Sequence, residues 1–122
     1  MVHFTGLKRL TLNGNQLSDI QVLSSLINLE EFNAANNLIT DVSPLKGLKN
    51  LRTVDLSNNQ IVDETPFLSI ESLQRLSLNG NCIATTANWP QLKKLTWLDL
   101  SNNRILDLRP TKNWNIPTLL LD

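Results

Sequence analysis

LEEFNAANNLITDVSPLKGLKN, residues 29–50, is one full unit of a pattern that runs along the chain. Moved in steps of 22 residues, it falls without a gap on segments beginning at Leu7, Leu51, Leu73 and Leu95. Position one of the unit is Leu in every copy. Position four is Leu10, Phe32, Val54, Leu76 and Leu98, and position six is Leu12, Ala34, Leu56, Leu78 and Leu100. Position nine is always Asn (Asn15, Asn37, Asn59, Asn81, Asn103), and position eleven is Leu17, Ile39, Ile61, Ile83 and Ile105. A fixed period of this length marks a repeat architecture, in which no unit buries its apolar side alone and stacked neighbours share one core. Positions four and six alternate with polar residues, the period-two pattern of a strand with one buried face.

The remaining regular positions have local reasons. Asn at position nine follows the strand, where backbone groups lose their ladder partners. An amide that both donates and accepts can satisfy such groups from one unit to the next. Position thirteen is Asp19, Asp41, Asp63 and Asp107, with Thr85 in the fourth unit. An Asp or Thr there is suited to capping a short 3₁₀ or single-turn α segment. Pro44 and Pro110, three residues later, suit the start of that turn. A row of carboxylates on successive turns is not a convergent ligand set, so these Asp residues predict structure rather than a metal site.

The run LxxLxLxxNxI resembles the leucine-rich repeat. Its continuation IxDxxPLxxLxNL, clearest in Ile39–Leu51, is similar to the 22-residue class. That class includes a regulatory subunit of protein phosphatase one, dynein and cytoskeletal adaptors, and the bacterial internalins. The resemblance implies an α/β fold: a right-handed solenoid with a parallel sheet on its concave face and short 3₁₀ or α turns on the convex face. It also implies a protein partner held against the sheet.

Residues 1–122 are expected to form one domain. It divides into a half repeat at 1–6, with Phe4 at position twenty, five repeats, and a truncated sixth strand at 116–122. The fifth repeat is one residue short near Trp114, which places Ile116, Leu119 and Leu121 at positions one, four and six. Neither end carries a polar cap, and exposed strand edges invite pairing. The chain is therefore expected to be part of a longer solenoid, or to make end-to-end contacts through its uncapped termini.

Composition narrows the function. Apolar residues make up 41% and charged residues 18%, with 11 basic and 11 acidic side chains and no net charge. Nucleic-acid binders draw affinity from a basic excess, so no nucleic-acid partner is expected. No apolar run approaches the ~20 residues of a membrane-spanning helix, and no secretory leader is visible at Met1–Gly6. Cys82 is the only cysteine, so no internal disulfide can form. A cytoplasmic location is favoured, and a cysteine-poor secreted bacterial protein also fits. His3 and Cys82 lie far apart in the repeat pattern, which argues against a nucleophilic pair. LNGN at 12–15 and 78–81 is a repeat turn without the Lys of a phosphate loop. Asp55 and Asp99 fall two strands apart, but on an open face that does not exclude water. No catalytic residue, cofactor or metal is expected.

Positions two, three, five, seven and eight are expected on the open sheet face, by alternation with the buried ones and by the resemblance. Across its first half, Lys8–Glu30–Arg52 and Arg9–Glu31 form rows of opposite charge that satisfy one another. The second half carries Trp97, an aromatic residue that core burial does not explain, beside Arg75. Trp and Arg are enriched at interface hot spots, although a plain cation–π stack would also account for the pair. The candidate partner-binding set is Arg52, Asp55, Arg75, Ser77, Trp97 and Asp99. A purely structural segment, or carbohydrate binding at Trp97 and the Asp residues, are the alternatives. Trp89 and Trp114 fall at positions seventeen and twenty, where other repeats place Leu, and are expected to pack in the core or on the convex side rather than to contact a partner. Glu64 and Thr86 interrupt the apolar position fourteen, which predicts a looser convex side across 63–88.

Overall fold

A computed structural model describes residues 6–87, 89–90 and 92–122. His3, Phe4 and most of the leading half repeat lie outside the described residues, as does Asn88. Six short strands form one parallel sheet in chain order: β1 (Arg9–Thr11), β2 (Glu31–Asn33), β3 (Thr53–Asp55), β4 (Arg75–Ser77), β5 (Trp97–Asp99) and β6 (Thr118–Leu120). Partners from β1 to β5 stand 22 residues apart, as in Phe32↔Val54, and 21 apart between β5 and β6, as in Leu98↔Leu119. Each strand therefore presents the same repeat positions to its neighbour. The return paths carry 3₁₀ turns at Gln21–Ser25, Ser43–Leu45, Thr65–Ser69 and Arg109–Asn113.

The core is the stack of consensus positions. Leu29, Leu51 and Leu73 at position one, Leu56 and Leu78 at position six, and Ile39, Ile61 and Ile83 at position eleven are fully buried. Burial of one such side chain contributes about 1.5–3 kcal/mol.

The Asn row ties each turn to the one before it. Asn59 accepts from the Ile39 N–H at 3.0 Å and donates to the Ala34 carbonyl of the preceding repeat and the Leu56 carbonyl of its own, both at 3.0 Å. Asn81 and Asn103 repeat this arrangement on Ile61 and Ile83. Asn37 accepts from both Asn15 and Leu17 backbone N–H groups. The amides bridge backbone to backbone rather than one another.

Capping follows the expected residues with a shift in geometry. Asp19, Asp41, Asp63 and Asp107 each accept the backbone N–H two residues on, at 2.8–3.0 Å. They act from one residue ahead of the formal helix cap. Hydrogen bonds hold the exposed carboxyls of Asp41, Asp63 and Asp107 below the usual carboxylate range. The Ser43 backbone N–H is the main cause for Asp41 and the Thr65 hydroxyl for Asp63, while the Arg109 side chain holds Asp107 at about 2.

The expectation of a looser convex side across 63–88 does not hold in the third repeat. Thr65–Ser69 forms a full 3₁₀ turn, and both Glu64 and Thr86 are buried. Glu64 sits in an apolar position because the Trp89 indole N–H reaches its carboxylate at 2.9 Å. Burying a carboxylate is costly without such a donor. The fourth repeat alone, among the described residues, has no helical turn between its last core Ile and the next strand.

Candidate functional site

The strands are three residues long, and their central residues point into the core. The flanking positions three and five therefore face outward, as β-alternation demands. Register sets Arg75 beside Trp97, and Asp55, Ser77 and Asp99 in one row across β3, β4 and β5. The Arg75 guanidinium lies over the Trp97 ring, 3.9 Å from its centroid. Arg75 makes no ion pair among the described residues.

The first half of the face is electrostatically closed. Glu30 pairs with Lys8 at 3.8 Å and also with Arg52, while Arg9 meets Glu31 at 3.2 Å. Arg52 thus belongs to the N-terminal charge network, apart from the Arg75–Trp97 pair. Each exposed pair contributes at most about 1 kcal/mol.

The carboxylates of the candidate set have local duties. Asp55 accepts the backbone N–H of Ser57 at 3.0 Å and its hydroxyl at 2.7 Å. Asp99 is buried, accepting from the Ser101 backbone N–H at 2.9 Å and from the Asn79 amide at 3.4 Å. Both close the turn that ends their strand, an Asx geometry. Ser77 lies between them, half-buried.

Positions seven and eight follow the alternation argument only in part: position eight is exposed at Asn36, Asn58 and Asn102, whereas position seven is open at Asn13 and closed in the second and fifth repeats. The strand has ended there, so period two no longer governs side-chain direction. Ala35 and Ser101 are buried. Position eight takes a left-handed backbone, at Gly14, Asn36, Asn58, Gly80 and Asn102. Their side chains bond along the stack, Asn58 to Asn36 and Asn102 to Asn79, both at 3.1 Å. Gly or Asn recurring at one repeat position was the available signal, since these residues tolerate positive φ best.

Leu120 is a further surface residue that the motif count passed over. It pairs with Asp99 in register and is 39% exposed. Its place two residues beyond Thr118 would have revealed it. The resulting face has a stacked Arg–Trp pair at its centre, turn-bound carboxylates along one side and an apolar side chain at β6.

The "Leucine Rich repeats (2 copies)" family model matches residues 5–47, 27–69 and 49–93, and the "Leucine Rich Repeat" model matches 94–116. The chain belongs to the leucine-rich-repeat family. That fold family generally serves as a non-enzymatic scaffold for protein interactions. Among solved structures, internalin C2 of Listeria monocytogenes is 32% identical with a TM-score of 0.86, over 97% of this chain and 53% of its own. Internalin F of the same organism is 31% identical with a TM-score of 0.85, over 95% and 35%. A leucine-rich-repeat protein of Leptospira interrogans is 33% identical with a TM-score of 0.76, over 83% and 27%. The chain thus spans about half the length of internalin C2 and about a third of internalin F. Of the 22-residue kinds expected, these neighbours support the internalin kind. A search of curated proteins found no match.

Proposed function

We propose that this leucine-rich-repeat domain is a protein-interaction module that binds its partner on the second half of the open sheet face. The observation that carries the reading is Trp97, half-exposed on β5 beside the edge strand and covered on one side by Arg75. A flat, rigid aromatic surface immobilises at little entropic cost, and a guanidinium with free N–H donors supplies direction beside it. Asp55, Ser77 and Asp99 frame this centre with their remaining acceptor capacity, and Arg52 marks its edge. The charge-paired first half offers a partner less, because a new contact there must first displace an existing pair.

Immobilised chain and its Trp97→Ala variant, matched by circular dichroism, are compared for retention of partners from native extract. The stack itself contributes about 0.5–1 kcal/mol at an exposed site, so the variant stays folded. A partner retained by the parent chain is expected to be lost from the variant. Equal retention by both defeats the reading.

A further inference from the structure

Position seventeen is Leu23, Leu45 and Phe67 in the first three repeats, and position twenty is Leu26, Leu48 and Ile70. All six are buried. Trp89 and Trp114 take these positions in the fourth and fifth repeats, yet they are only partly buried against the core. Two large aromatic side chains thus pack against the core and keep part of their surface open. Their rings stack on one another with centroids 4.6 Å apart and planes inclined by 24°. The Trp89 N–H is already committed to Glu64, which fixes the ring and leaves only its apolar surface for contact. Together with Pro90, Leu92, Leu95 and Ile116 they wall a half-open cavity of about 290 Å³.

The polar residues of this cavity are Lys93 and Asn115. Lys93 makes no ion pair among the described residues. Apolar and aromatic walls with a few polar groups are the usual composition of a ligand site, and the volume is at the small end of that range. Indole faces attract cations, but the Lys93 ammonium repels them here, so the complementary ligand is an anion with a flat apolar group. We propose that the pocket binds the C-terminal residue of a partner polypeptide when that residue is aromatic. Its ring packs against the Trp89–Trp114 wall in an offset or edge-on contact. Its carboxylate pairs with Lys93, and the preceding peptide group meets Asn115. The site is separate from the sheet face and does not depend on the binding role assigned to Trp97.

The test uses the ¹⁵N-labelled chain, whose three Trp residues give three indole resonances. Three probes are titrated: N-acetyl-phenylalanine, a minimal aromatic C-terminus; N-acetyl-phenylalaninamide, its neutral internal counterpart; and 3-phenylpropionate, an aromatic acid without the peptide group. N-acetyl-phenylalanine is expected to shift the Trp89 and Trp114 signals and leave that of Trp97 in place. The amide is expected to bind about tenfold more weakly, as loss of one charge-assisted hydrogen bond implies. Lys93→Gln, at an exposed position, should abolish the difference between acid and amide. Trp114→Leu restores the residue type of position twenty and leaves the Trp89–Glu64 bond in place, so the chain keeps its fold while binding is lost. Equal binding of acid and amide overturns the proposal, as does a shift confined to Trp97 or no shift at all. Equally tight binding of 3-phenylpropionate overturns the assignment to a polypeptide terminus and points to a free small acid.

Discussion

The side chain of Asn58 occupies the space that a β-carbon on Gly80 would need. Gly80 has φ +72°, and a Cβ built there would fall on Asn58 Oδ1 and lie 3.4 Å from the Asn58 backbone nitrogen. Both residues hold position eight of their repeats, where the second and fifth repeats also carry Asn. By consensus, Gly80→Asn is the mildest of changes. In the fold it displaces Asn58 and breaks its bond to Asn36. Gly80→Ala is expected to lose about 1–2 kcal/mol from the left-handed backbone alone. Gly80→Asn avoids most of that strain but still loses about 1 kcal/mol of hydrogen bonding. In an Asn58→Gly background this second loss should vanish, which a double-mutant cycle by urea denaturation would read directly.

The five Asn of position nine share a motif and differ in worth. Asn59→Ala leaves the Ile39 N–H and the Ala34 and Leu56 carbonyls without this partner in a buried site. The two carbonyls keep Asn37 and Asn81 as donors, so the Ile39 N–H alone is left unsatisfied and the expected loss is about 1–3 kcal/mol. Asn15 is exposed and, among the described residues, its side chain donates only to Asn13 of its own repeat. Asn15→Ala should lose less than about 1 kcal/mol. Similar losses for the two in chemical denaturation would contradict the bridging role.

Thr86 is buried, and among the described residues its hydroxyl has no hydrogen-bond partner. Thr86→Val keeps the shape and removes the unmatched group. It is expected to stabilise the domain by about 1 kcal/mol, read as a raised Tm. Glu64→Ala should do the reverse, because the Trp89 N–H loses its acceptor. Glu64→Gln, which retains an acceptor oxygen, should fall between Glu64→Ala and the parent chain.

The capping Asp residues make the domain sensitive to acid. Asp41, Asp63 and Asp107 are all more acidic in the fold than in a free chain, Asp107 at about 2. A lowered carboxyl stabilises the fold above its unfolded value, and that contribution is lost as pH falls through the folded value. Stability is therefore expected to hold at neutral pH and to decline from about pH 4 towards pH 2. Asp107→Asn, which still accepts the Arg109 backbone N–H, should flatten part of that decline in urea titrations at each pH. An unchanged slope would show that Asp107 does not contribute.

The sequence alone determined the period, the strands and the core, because each rests on interactions that recur every 22 residues. Leu51 is buried for the same reason as Leu29 and Leu73, and Asn59 bridges for the same reason as Asn81. Repetition turns such local rules into tertiary contacts. It also placed Arg75 beside Trp97, since equal repeat positions become neighbours once strands stack in register. The tertiary structure decided what depends on the contents of one particular place. Whether Asp99 is open or turned into its own strand end, and whether Gly80 can become Asn, depend on atoms brought close only by stacking. Trp89 illustrates the difference most clearly. Its spacing predicted packing in the core or on the convex side, and it does pack against the core. Only the fold showed that its N–H is drawn to a buried Glu64 and that its ring meets Trp114 of the next repeat.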